Sequence, residues 1–201
     1  MSFAKAHPSA GTLLDALTPQ SLEGRAAWAR SGLAVVVGSL LLTISAKLSI
    51  PFFPVPMTLQ TLVVLCLGMV LGPRLGAAAV LAYLAQGAMG LPVFEGTPEK
   101  GIGIAYMLQA TGGYLVGFVV AAFVVGLLAQ RRWDRSILTT IAAMFIGNAI
   151  IYACGLLWLG NVVGWDKPLL AWGMTPFLIG DLAKILIAAA ILPTLWKKLK
   201  P

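Results

Sequence analysis

The sequence predicts an all-α integral membrane protein with six transmembrane helices and both termini in the cytoplasm. Three observations carry this. Of 201 residues, 59% are hydrophobic and only 10% charged, whereas soluble domains are about 25% charged. The apolar residues fall into six runs separated by Gly, Pro and charge clusters. Lys and Arg are also unevenly shared between the two sets of span ends: with both termini inside, Lys5, Arg25, Arg30, Arg74, Arg131, Arg132, Arg135, Lys197, Lys198 and Lys200 are internal, and Lys47, Lys100 and Lys167 are external. That asymmetry satisfies the positive-inside rule.

Residues 1–31 read as a cytoplasmic tail with a short interfacial helix around LEGRAAWAR, and residues 32–201 as one membrane domain. The tail lacks the basic start, apolar core and small-residue cleavage site of a removable signal. The first span is Gly32–Ile50. In it Ala34, Gly38 and Ala46 form a small-residue stripe, broken by Leu42, that invites close approach of another helix. Prolines 51, 54 and 56 end the helix and stiffen an apolar connection suited to a lid. The second span, Met57–Leu71, opens with Thr58, Gln60 and Thr61, which either face a cavity or satisfy local polar groups. Gly68, Gly72 and Gly76 around Arg74 predict a tight hairpin into the third span, Leu75–Gly90. There Tyr83 and Gln86, three apart, either share a solute-binding face or serve as an interfacial tyrosine and an interhelical amide.

The connection LPVFEGTPEKGIG is the most polar internal loop and leads into the fourth span, Ile104–Leu128, whose TGGYLVGF lets backbone approach a neighbour or ligand. Asn148 lies within the fifth span, Ile137–Leu159, as a ligand contact or as helix glue. Trp165 and Trp172 then suit the membrane interface. The sixth span, Gly173–Leu192, carries Asp181 and Lys184 on nearly one helical face. A charge at a helix centre costs on the order of 2.5–3.5 kcal/mol on insertion scales, so this face looks into the bundle, as a solute site or as a structural salt bridge. Asp181 lies about eight residues from the outer end of its span, ~12 Å deep, the floor of an outward-opening pocket.

The net charge of +7 comes without a basic stripe interleaved with aromatics, so nucleic-acid binding is not expected. Cys66 and Cys154 read as small buried hydrophobes, and the single histidine, His7, has no ligand set around it, so no metal site is expected. HExxH, GxSxG, GxGxxG and Walker patterns do not occur, and the chain reads as non-enzymatic with no nucleotide site of its own. A membrane enzyme assembled from separate helices is the alternative from another class.

The segments PVPMTLQT at 54–61, LGMVLGPRLG at 67–76, YLAQGAMGLPVF at 83–94, TGGYLVGF at 111–118 and TPFLIGDLAK at 175–184, taken in this order, resemble the BioY family, the substrate-binding subunit of energy-coupling factor biotin transporters. The resemblance implies a six-helix domain of the cytoplasmic membrane that captures biotin from outside, with no cofactor. It also implies a transmembrane coupling subunit and two cytoplasmic ATPases as partners. It assigns Asp181, Lys184 and Gln86 to the ureido ring, Tyr83 and Phe94 to apolar walls, and Tyr114 and Asn148 to secondary contacts. Pro54, Val55, Pro56 and Thr58 become a gate, and Ala34, Gly38 and Ala46 the docking surface. The chain departs from the family pattern at Leu42, within the small-residue stripe, and at Ala110, where a proline often precedes TGGY. A solitary biotin carrier without ATPases would share the same pocket.

Overall fold

A computed structural model describes residues 11–17, 24–51 and 53–199; His7 and the start of the N-terminal tail lie outside them. The elements are α1 (Leu13–Leu17), α2 (Arg25–Lys47), β1 (Ser49–Ile50), β2 (Met57–Thr58), α3 (Gln60–Ala88), α4 (Gly103–Met107), α5 (Gly112–Gln130), α6 (Ile137–Val163), α7 (Leu169–Gly173) and α8 (Leu178–Leu199), with a 3-10 turn over Thr175–Phe177. Among the described residues, five helical segments are long and apolar enough to cross a membrane: α2, α3, α5, α6 and the run Leu169–Leu199. The chain is an all-α, multi-pass membrane protein. Its outer surface is apolar, with Leu33, Val36, Leu40 and Ile44 of α2 among the exposed side chains, as expected where the solvent is lipid rather than water.

α3 is not one straight rod. Gly72 takes φ 80°, ψ 178° ahead of Pro73, a conformation open to glycine and closed to most other residues, and there the helix doubles back. The proof is distance. Gln60 and Tyr83, 23 residues apart, are hydrogen-bonded at 2.8 Å, whereas along one helix they would stand roughly 35 Å apart. A Cβ placed on Gly76 would lie 2.8 Å from the Gly68 Cα, so the two arms touch backbone to backbone through the predicted glycines. The expected hairpin is therefore present.

Other boundaries shift for local reasons. α2 begins at Arg25, so the predicted boundary at residue 31 falls within a continuous helix, and the LEGRAAWAR segment is in part the start of the first span. The tail is also not wholly free: Leu13 is only 1% exposed, and a Gly72 Cβ would meet Thr12 at 2.9 Å, so α1 sits against the α3 turn. Ser49↔Thr58 and Ile50↔Met57 pair as an antiparallel ladder, which holds the proline segment as a closed loop and delays the second helix to Gln60. The predicted fourth span divides into α4 and α5, and ahead of the predicted sixth span the loop forms α7, after which the 3-10 turn at Pro176 leads into α8. α6 starts where expected, its Ser136 cap accepting from the Thr139 amide at 3.3 Å.

The small-residue stripe of α2 requires a correction. Gly38 and Ala46 are buried and Ala34 half-buried. A Cβ on Gly38 would meet Ala79 at 2.8 Å and Leu67 at 3.3 Å, one from each arm of α3. The stripe is used inside the chain, and Leu42, the apparent interruption, is a fully buried core residue. Gly38 at least therefore faces α3 of the same chain.

Candidate functional site

One face of α8 sets the polar floor of a cavity lined on its other sides by aromatic and apolar residues, the make-up of a small-molecule site. Asp181 falls in the first turn of α8, so the helix break at Pro176 places this carboxylate at an N-terminus rather than in mid-helix, where the helix dipole favours an anion. It is 4% exposed. Its Oδ1 accepts from Lys184 Nζ at 2.9 Å and from Thr61 Oγ1 at 3.0 Å, and its Oδ2 accepts from the Tyr152 hydroxyl. Lys184 also donates to the Thr58 carbonyl and to Thr61 Oγ1, both at 2.8 Å. All three of its protons are thus engaged. The cluster draws on the start of α3, the middle of α6 and the start of α8, and each charge is paired and hydrogen-bonded as a buried charge requires.

A second polar group adjoins it. Thr58 Oγ1 donates to Gln60 Oε1 at 3.2 Å, and Gln60 Nε2 donates to the Tyr83 hydroxyl at 2.8 Å. Gln60 retains a further N–H beyond the one given to Tyr83. The walls are aromatic. Phe94 stacks on Tyr106 with ring centroids 4.9 Å apart and meets Tyr83 edge-on at 5.3 Å. Gly87 makes this packing possible, since a Cβ there would lie 2.0 Å from the Phe94 ring. The Tyr114 ring completes the wall while its hydroxyl donates to the Gly173 carbonyl at 2.7 Å. The proline loop covers one side through Val55, Pro56 and Thr58.

Of the residues expected at the site, Asp181, Lys184, Tyr83, Phe94, Tyr114, Val55, Pro56 and Thr58 line this cavity. Pro54 borders a neighbouring space instead. Two residues lie elsewhere. Gln86 is turned to α2, its amide donating to Ser39 Oγ at 3.1 Å, so it is not in the cavity wall. Asn148 is buried off the cavity, with its Oδ1 unpartnered among the described residues. The structure in turn adds Tyr152, Thr61, Gln60, Tyr106 and Glu95 to the lining. Thr61 and Gln60 had a signal in the polar start of the second span. Tyr152 had one too, four residues after Asn148 and so near its helical face. Tyr106 had none.

Comparison with known proteins gives a consistent result. The BioY family model matches residues 18–201. The chain is 42% identical over 151 residues to the biotin transporter BioY of Thermotoga maritima, covering 75% of this chain and 86% of that protein. It is 38% identical, with the same coverage, to a probable biotin transporter BioY of Pyrococcus horikoshii. In structure it matches a crystal structure of the S-component for biotin from an ECF-type ABC transporter, with a TM-score of 0.74 and 26% identity, covering 88% of this chain and 95% of the other.

Proposed function

Because the chain belongs to the BioY family, we propose that it captures biotin with high affinity as the substrate-specific subunit of an energy-coupling factor transporter. The observation that carries the reading is the cavity's division into a charged floor and an aromatic wall. Biotin has the complementary form: a ureido group that both donates and accepts, on a compact apolar ring system. The remaining acceptor position of Asp181 takes one ureido N–H. Lys184 and the spare N–H of Gln60 face the carbonyl, with Lys184 exchanging one of its present acceptors for it. Tyr152 and Thr61 hold the Asp181 carboxylate in place. Tyr83, Phe94, Tyr106 and Tyr114 enclose the rings, where aromatic contact adds to burial. The Gln86 assignment passes to Gln60, which carries the same amide in the cavity wall.

In the bilayer the two arms of α3 count separately, which makes six crossings with both termini cytoplasmic, in accord with the Lys and Arg distribution. The membrane domain then runs from the first span to the C-terminus, and the proline loop, tied to α8 by the Thr58–Lys184 bond, acts as the gate. As a subunit without a nucleotide motif, it works with a transmembrane coupling protein and two ATPases. The test is equilibrium binding of labelled biotin to the purified chain in detergent, beside D181N of verified fold. Tight binding by the parent, weakened at least about tenfold in the variant by loss of a charge-assisted acceptor, is expected. No binding by folded parent would overturn the reading.

A further inference from the structure

The central ring of the aromatic wall is carried by a loop. Phe94 lies in the connection between α3 and α4, yet it is only 1% exposed, stacked on Tyr106 and set edge-on to Tyr83. A recognition ring on a loop keeps its place only if its backbone is fixed from outside.

That hold comes from α2. Lys47, the last residue of α2, donates from Nζ to the Phe94 carbonyl at 2.8 Å and to the Thr97 carbonyl and hydroxyl at 2.9 and 3.0 Å. The Thr97 hydroxyl donates in turn to the Phe94 carbonyl at 2.7 Å. Two residues on from the lysine, Ser49 Oγ donates to Glu95 Oε1 at 3.3 Å. A cation here would suit the end of its own helix. Instead its charge-assisted bonds, each roughly twice as strong as a neutral one, go to the segment that bears Phe94. The same stretch also holds the gate: the Leu48 carbonyl accepts from the Leu59 amide at 3.1 Å, and Ser49 pairs with Thr58. Lys47 itself does not line the cavity, so the ring and not the ammonium meets the solute.

We propose that Lys47 is a positioning residue for ring recognition: through the Phe94 and Thr97 carbonyls it holds Phe94 against the solute's second ring, and so sets the preference for a closed bicyclic ureide over a monocyclic one. The proposal rests on the biotin reading above. The ureido floor of Asp181, Lys184 and Gln60 is built without Lys47, so this residue acts on one end of the ligand only. Direct capture of the solute's acid by the Lys47 ammonium would have a different signature, because it would serve every ligand with the same acid tail alike.

The experiment measures binding of biotin and of desthiobiotin, which keeps the ureido ring and the acid tail but lacks the sulfur that closes the second ring. Parent, K47M and T97V are compared, each with its unfolding midpoint. The parent is expected to prefer biotin by at least about tenfold, the discrimination that one missing apolar group brings in a packed pocket. In K47M that ratio should fall below about threefold, with desthiobiotin affinity changed by less than about twofold. T97V keeps the side-chain volume, removes one of the three acceptors and the bond to the Phe94 carbonyl, and should move the ratio the same way. A folded K47M with the parent's ratio, an equal loss of both ligands, or a parent without the preference overturns the proposal and leaves biotin capture standing. A lowered midpoint with an unchanged ratio is the mark of a merely structural lysine and overturns it too. Should K47M fail to fold, T97V decides, and an unchanged ratio there overturns the proposal. A folded parent that binds neither ligand overturns the biotin reading as well.

Discussion

Lys184 offers the sharpest test of the polar floor. Replacing it with methionine keeps the volume but removes three hydrogen bonds and the counter-charge of Asp181. With side-chain exposures of 12% and 6% for Lys184 and Asp181, the pair belongs to the buried regime, where removal of one partner costs about 3–5 kcal/mol because the other charge is left uncompensated. D181N is milder. Its amide oxygen can still accept from Thr61, and Lys184 keeps the Thr58 carbonyl and Thr61 hydroxyl, so a loss of about 1–3 kcal/mol is expected. The double variant has no orphaned charge and should lose less than the sum, giving a coupling energy of roughly 2–3 kcal/mol. Reversible unfolding of the four proteins in mixed micelles measures the cycle. A K184M loss below about 1 kcal/mol, or additivity within about 0.5 kcal/mol, would refute the claim that these charges depend on one another.

Two further outcomes follow from the packing. Gln86→Leu should leave biotin affinity unchanged and lower stability by about 1 kcal/mol through the lost Ser39 bond, as binding and unfolding measured on one preparation will show. Gly68→Ala should destabilise the bundle by about 1–3 kcal/mol, since its Cβ would fall 2.4 Å from the Ala122 backbone carbonyl, which cannot rotate away; an unchanged unfolding midpoint would contradict the close contact of α3 with α5.

The polar pair and the hairpin were legible because each rests on short-range geometry. Asp181 and Lys184 share a face through a three-residue spacing, and Gly72–Pro73 dictates a break whatever packs around it. Gln86, open in the sequence between a solute contact and an interhelical amide, takes the second role here: Tyr83 points to Gln60 while Gln86 points to Ser39 of α2. A three-residue step leaves about 60° between the two directions, enough for neighbouring helices to claim them separately. The stripe of Ala34, Gly38 and Ala46 signalled close helix approach correctly, yet nothing in its spacing says whether the approaching helix comes from the same chain.

The sequence by itself determined the solvent in which this protein folds, where the α3 hairpin turns and where α6 begins, and that an ion pair must lie inside the bundle. These follow from composition, from backbone chemistry at Gly and Pro, and from the cost of charge in hydrocarbon. Only the tertiary structure decided which residues complete the site: that Thr61 and Tyr152 hold Asp181, that Gln60 rather than Gln86 reaches the cavity, and that Gly38 of α2 packs on α3. The physical reason is that a helix apolar on all sides carries no amphipathic signal. Lipid-facing and core-facing positions look alike along the chain, and the rotation of each helix is set by side-chain packing against its neighbours.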